Sequence, residues 1–193
     1  MGTSGAEYLL GSAQGRLLLV TMRSRGFTLV ELLIGVSIMA ILALLVTPTL
    51  AEFLGNTRIR NTADSIANGI RLASVEAIKR NQNVEFVLDP AVGWSLRDPV
   101  NNSVLHAEPF SEASGQITVA PQPPGTAKLT YSPLGQYVTP NPDDLSDPIR
   151  WVNLTNAALT NPHPLRVLAD PALGAGVRVC DPKFALPDPI GCP

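Results

Sequence analysis

The sequence predicts an α+β fold: a long N-terminal helix, with a transmembrane half and an amphipathic half, packed on a small antiparallel β-sheet head. Three observations predict it. A run from Phe27 to Val46 carries one charged side chain, Glu31; a helical apolar period follows from Ile59 to Ala77; and from Asn83 the pattern changes to short apolar alternations punctuated by proline and glycine. The 193 residues allow one compact domain beside such a span, with no room for two full cores.

The run from Phe27 to Val46 is about 20 residues, enough to cross a ~30 Å hydrocarbon core as a helix. Arg16, Arg23 and Arg25 precede it with only Glu7 against them, so the positive-inside bias keeps the N-terminus cytoplasmic and sends the polar remainder outward. Ser37, Ala40, Ala43 and Thr47 recur at steps of three and four as a small-residue stripe. Such stripes let helices approach closely in lipid, and ordinary membrane-helix composition accounts for the pattern equally well. Pro48 removes a backbone donor and is expected to kink the helix.

Beyond Pro48, Ile59, Ala63, Ile66, Ile70, Ala73 and Ala77 alternate steps of four and three and so define one apolar face. Arg60, Asp64, Asn68 and Arg71 occupy the opposite face, and Glu76 precedes Arg80 in the favourable i,i+4 order. A helix from Phe27 to about Arg80 would be roughly 80 Å long at 1.5 Å per residue. Gly55-Asn56, with Pro48 upstream, marks an expected weak place along it.

After Asn83, Val84-Glu-Phe-Val-Leu and Gly93-Trp-Ser-Leu-Arg flank Asp89-Pro-Ala-Val and read as a hairpin. Further strands are expected at 103–107, 116–120, 128–131, 136–139, 149–154, 166–168 and 177–180, with loop as the alternative for the middle ones.

At the start of the span a basic leader ends in Gly26, Phe27 follows, and Glu31 is the fifth residue after that glycine. In Gly26-Phe-Thr-Leu-Val-Glu31 the sequence resembles the type IV pilin and pseudopilin precursors. The resemblance implies cleavage by a prepilin peptidase between Gly26 and Phe27, methylation of the new N-terminal Phe27, and an assembly role for Glu31 as partner of a neighbouring subunit's N-terminal amine. The physics of Glu31 agrees, because a lone carboxylate in a span costs about 2.5–3.5 kcal/mol on insertion scales and usually has a partner. No basic residue of the span can supply one. A side chain that snorkels to the interface is the alternative.

Met22 opens Met-Arg-Ser-Arg-Gly, a complete short basic leader, so translation is expected to start there. Either way residues 1–26 are read as processing sequence. The expected organisation is leader 1–26, transmembrane and assembly helix 27–54, and a periplasmic head 55–193 on a single-pass inner-membrane anchor.

A second resemblance lies further on. Arg71-Leu-Ala-Ser-Val-Glu-Ala-Ile-Lys-Arg-Asn-Gln-Asn-Val, then Gly93-Trp94 and Tyr131-Ser-Pro-Leu-Gly135, is similar to the pseudopilin H group (GspH) of type II secretion and its minor-pilin relatives FimU and FimT. In that group a helix spine supports a head of two small sheets. The ending Gly176-Val-Arg-Val-Cys-Asp-Pro through Gly191-Cys-Pro is similar to the cysteine-bracketed tails of FimU-like and FimT-like minor pilins. The resemblance implies a minor pilin of a type IV pilus, acting in assembly initiation or tip presentation. Its partners would be other pilins through the N-terminal helix, the prepilin peptidase and the inner membrane. The alternatives are a type II secretion minor pseudopilin and a FimT-like pilin that captures DNA.

Removing the leader leaves 167 residues with 11 basic and 15 acidic side chains, a balance that argues against general nucleic-acid binding. Lys79, Arg80, Arg166, Arg178 and Lys183 are the cations that a DNA-contacting strip would use. Cys180 and Cys192 are the only cysteines, and facing an oxidising compartment they are expected to form a disulfide. No enzyme site, cofactor or metal site is expected, since His106 and His163 share no ligand spacing and no phosphate loop or nucleophile elbow occurs. Asp143-Asp-Leu-Ser-Asp147 is weighed as a Ca²⁺ loop; it lacks an EF-hand's glycine and terminal glutamate and is read as solvated.

Overall fold

The computed structural model describes residues 27–110, 116–169 and 176–193, with backbone only at 44–48. The cleavage-side residue Gly26 and the leader lie outside the described residues. Helix α1 runs over Leu29–Arg80, and the chain divides into two compact units, Met1–Ala43 and Leu44–Pro193.

In the first unit the side chains from Leu29 to Leu42 stand exposed around the helix, and Ser37 donates its hydroxyl to the Leu33 carbonyl at 2.8 Å. That i−4 bond satisfies a polar side chain without leaving the helix surface. Among the described residues no helix is long and apolar enough to cross a membrane, the side chains of 44–48 lying outside that set. The transmembrane span therefore rests on the sequence run from Phe27 to Val46.

The second unit holds the core. The expected apolar face is the buried one: Ile59, Ala63, Ile66, Ile70, Ala73 and Ala77 are fully buried, joined by Ala67, while Arg60, Asp64, Asn68 and Arg71 are exposed. Alanines at four of these seven positions let the sheets approach the helix closely. Gly69 continues that logic, since a Cβ there would meet the Trp94 ring at 2.7 Å.

The helix continues through Pro48 and Gly55. Gly55 has a packing role: a Cβ would meet the Leu159 side chain at 2.6 Å. The helix ends in a Schellman motif, with Gln82 N–H bonded to the Ala77 carbonyl at 3.2 Å and Asn81 N–H to Ile78 at 3.2 Å. Asn81 takes the left-handed φ of 52° that this cap requires.

Among the described residues ten strands follow: β1 (Val84–Asp89), β2 (Gly93–Arg97), β3 (Val104–Pro109), β4 (Ile117–Gln122), β5 (Lys128–Tyr131), β6 (Tyr137–Val138), β7 (Trp151–Asn156), β8 (Leu165–Leu168), β9 (Arg178–Ala185) and β10 (Gly191–Cys192). They form two five-stranded sheets, ordered β3-β2-β1-β5-β6 and β10-β9-β8-β7-β4. Every pairing is antiparallel except β9 with β10. The middle strands, for which loop was the alternative, are paired strands. The tail departs most from expectation: β9 continues past Pro182 to Ala185, and β10 has no counterpart in the sequence reading.

Alternation along each strand decides which side chains face α1. Phe86, Leu88, Trp94, Leu96, Leu129 and Tyr131 of the first sheet join Val119, Val152, Leu154 and Val167 of the second in one buried cluster with the helix. Trp94 stacks on Phe86 and donates its indole N–H to Ser65 at 3.0 Å, so its one polar atom is satisfied. Burial pushes the Tyr131 phenol up to about 12.

Candidate functional site

The start of α1 is built by two residues of the leader motif. Thr28 is the helix N-cap: its hydroxyl oxygen accepts the Glu31 N–H at 3.2 Å, and Glu31 Oε2 accepts the Thr28 N–H at 3.3 Å and the Thr28 hydroxyl at 3.2 Å. This is a reciprocal capping box, Thr-x-x-Glu, which satisfies donors that a helix N-terminus leaves without partners. The sequence carried that signal beside the leader motif, and the reading above used Glu31 only as an assembly acid. Phe27, just ahead of the cap, is exposed.

The acidic loop has a different organisation from the one weighed for Ca²⁺. It folds over the outer face of the first sheet, where Lys128 of β5 inserts its ammonium among three carboxylates. Lys128 Nζ bonds Asp143, lies 2.8 Å from Asp144 Oδ2 and stands 3.3 Å from Glu85 Oε1. The Glu85 contact is an ion pair without hydrogen-bond geometry, since that oxygen is buried and accepts no bond. Lys128 thus supplies the positive charge at the centre of these carboxylates. Asn141, fully buried, locks the loop: it accepts from Thr130 at 3.0 Å and donates to Ser146 at 3.1 Å.

The charges respond to these contacts. Burial holds the Glu85 carboxyl above its ordinary 4.5 while Lys128 pulls it down, and the hydrogen bond from Lys128 holds the exposed Asp144 far below its own ordinary value. Replacing Lys128 by Met should therefore cost on the order of 2 kcal/mol near neutral pH, less than the ~3–5 kcal/mol of a fully buried pair because Asp144 is open to solvent. An acid with a raised folded value binds its proton more tightly folded than unfolded, so its penalty grows as pH rises past 4.5. Without Lys128 that value rises further. Urea melts should show the variant's deficit shrinking from about pH 7.5 to about pH 5; a deficit constant with pH would refute the assignment.

The tail is closed by a Cys180–Cys192 disulfide between β9 and β10, spanning 12 residues. Both cysteines are buried with Leu168, and Trp151 packs against them on the outer face of the second sheet. Closing a loop of that size contributes about 2–3 kcal/mol in the chain-entropy model, reduced by Pro182, Pro187 and Pro189, which already limit the unfolded chain. Replacing both cysteines by Ser should lower the urea midpoint accordingly, and thiol labelling of the unfolded, unreduced protein should find no free cysteine.

Each of the candidate DNA-contacting cations has a partner within the chain. Lys79 and Arg80 both bind Glu76, at 3.2 Å and 2.7 Å. Arg166 donates to Asn153 and lies over the Trp151 ring, Arg178 donates to the Pro189 carbonyl, and Lys183 donates to the Pro162 carbonyl. The β8–β9 register sets Arg166 opposite Cys180 and Leu168 opposite Arg178, so these two arginines share the outer sheet face. His106 lies 5.4 Å from the Trp94 ring, and the His163 N–H is bound by Asn56. The two histidines therefore sit on different elements.

A helix spine carrying two small, largely antiparallel sheets and a disulfide-closed tail defines a pilin-like head. A Prokaryotic N-terminal methylation motif matches residues 21–47, and the family model Type II transport protein GspH matches residues 62–168. The chain belongs to the GspH family and is a minor pilin or pseudopilin, a structural subunit of pilus assembly.

Two crystal structures of the type IV minor pilin FimU of Pseudomonas aeruginosa (strain PAO1) are similar in fold. One, in space group P21, is 13% identical with a TM-score of 0.51 over 70% of this chain and 97% of its own. The other, in space group P65, is 12% identical with a TM-score of 0.47 over 66% and 97%. No curated protein matches the chain.

Proposed function

We propose that the chain is a minor pilin of a type IV pilus, held in the inner membrane by residues 27–54 with its head, 55–193, in the periplasm until assembly. In this reading a prepilin peptidase removes residues 1–26, Phe27 becomes the methylated N-terminus, and Glu31 meets the amine of a neighbouring subunit. The methylation motif over residues 21–47 supports the processing, and the disulfide-closed tail supports the choice of pilus. The family model's own description favours one second reading, a minor pseudopilin of type II secretion. Deleting the gene distinguishes them: loss of surface pili with secretion intact supports the pilus, and loss of secretion with pili intact supports the pseudopilus.

DNA capture is not the favoured role. The candidate cations are engaged as described, the mature chain is net acidic, and four or five phosphate contacts give only weak, salt-sensitive binding. Gel-shift titration of the detergent-solubilised chain should show duplex DNA bound no tighter than the nonspecific ~10⁻⁴–10⁻⁶ M range at physiological salt. Submicromolar binding lost in the Arg178→Ala, Lys183→Ala pair would make the chain a DNA-uptake pilin.

A further inference from the structure

The apolar packing between α1 and the second sheet stops short along β9. The β8–β9 register sets Val167 opposite Val179, where Val167 lies in the core and Val179 packs on it. By strand alternation Leu165 and Asp181 come next on the same inner face, so a carboxylate takes the following core position. Asp181 is only 7% exposed, and one of its oxygens accepts the Lys183 N–H at 2.8 Å. On the helix side the exposed face of α1 presents Arg60 and Asp64. Together with Leu165, Val179 and Ile190, these charged side chains line one cleft of about 440 Å³ within the second unit. Among the described residues neither Asp181 nor Arg60 is ion-paired. A carboxylate buried to that degree is costly without a cation, and the chain does not supply one. Lys183, two residues on, gives its ammonium to the Pro162 carbonyl at 2.9 Å instead.

We infer that this cleft binds a small zwitterion of the amino-acid class, with its ammonium at Asp181 and its carboxylate at Arg60. The walls are joined to one another without using those two charges. Asn56 of α1 accepts the His163 N–H at 2.8 Å, the Lys183 bond ties the tail to the same loop, and the Asp181 N–H donates to the Ile190 carbonyl at 2.7 Å. The Cys180–Cys192 disulfide closes the tail behind them. A preformed cleft of this volume, apolar on one wall with a few convergent polar groups, has the form that small-ligand sites take. Its charges select the ligand. An ammonium alone would meet Arg60 as a like charge in the same cleft, and a carboxylate alone would meet Asp181 and Asp64. A molecule with both groups makes a charge-assisted contact at each end. Leu165, Val179 and Ile190 offer the remaining wall to an apolar side chain, so the class narrows to apolar amino acids and short apolar peptides. The inference concerns the head alone and does not depend on the anchor or on the pilus.

The test is calorimetric titration of the detergent-solubilised full chain with L-leucine and with L-leucyl-L-leucine. At least one should give a saturable heat with a Kd of about 1 mM or below, and the tighter of the two sets the length of the ligand. Its N-acetyl form, which lacks the ammonium, and its amide form, which lacks the carboxylate, should each bind about tenfold or more weakly. Asp181→Asn and Arg60→Gln should weaken the parent ligand by a similar factor. The asparagine keeps an oxygen for the Lys183 N–H, and Arg60 is exposed, so neither change removes a contact that the fold uses. Glu108→Gln, exposed on β3, should change nothing. No saturable heat from either probe overturns the inference. An amide that binds as tightly as its parent would mean that the cleft reads a cation alone, as on a neighbour's lysine or arginine, and overturns the zwitterion. An N-acetyl form that binds as tightly overturns it from the other end. Binding that survives both Asp181→Asn and Arg60→Gln lies elsewhere and overturns the site.

Discussion

Gly26→Val is expected to leave the precursor uncut and absent from filaments, an all-or-none effect. In the leader motif only a residue without a side chain fits the position before the cut, and valine adds a branched one. The physical consequences of an uncut leader compound. Arg23 and Arg25 stay attached ahead of the apolar run, and drawing each through the bilayer costs about 2.5–3.5 kcal/mol on insertion scales, so the chain cannot leave the membrane for a filament. The nitrogen of Phe27 also remains an amide, without the positive charge that an N-terminal amine would bring to Glu31. Mass spectrometry of the wild type should find methyl-Phe27 as the first residue, and of the variant an intact leader in the membrane fraction alone. Intact Met1 or Met22 on assembled filaments would defeat the processing assignment.

What could be read from the sequence follows from how local each determinant is. The buried face of α1 from Ile59 to Ala77 was legible because helical period and small side chains state it within one segment. The β1–β2 hairpin was legible for the same reason: Asp89 Oδ1 accepts the Ala91 and Val92 N–H groups and makes the turn itself. Lys128 was not legible. Its three carboxylates come from β1 and from the loop before β7, and nothing near Lys128 in the sequence announces them. The same distance hid the role of Asn141, whose side-chain oxygen accepts from Thr130 on β5. The last strand, β10, is two residues held parallel to β9 by a disulfide and a bulge, and so has no periodicity to read. The packing of Gly55 was hidden for a related reason, because the space it leaves for Leu159 is a tertiary fact.

The second large effect belongs to Glu31, and the capping box changes how it must be tested. Glu31→Ala removes two things together, the bond that closes the box with Thr28 and the negative charge. The first is a stability cost of about 1 kcal/mol, local to the helix start. The second, on the assembly proposal, leaves a neighbour's amine without its partner in lipid, for which breaking a buried pair gives about 3–5 kcal/mol, or roughly a 10²–10³-fold or greater loss of incorporation. Glu31→Gln separates them, because glutamine closes a capping box as glutamate does and carries no charge. Both variants should insert normally, since each removes a charged group from the span. Competition between tagged variant and wild-type chains for the filament then reads the difference. If the charge acts, Gln and Ala are both excluded. If only the cap acts, Gln enters and Ala is depleted by about fivefold, the equivalent of about 1 kcal/mol. Normal entry of both would mean that Glu31 merely reaches the interface, and would remove it from the assembly site.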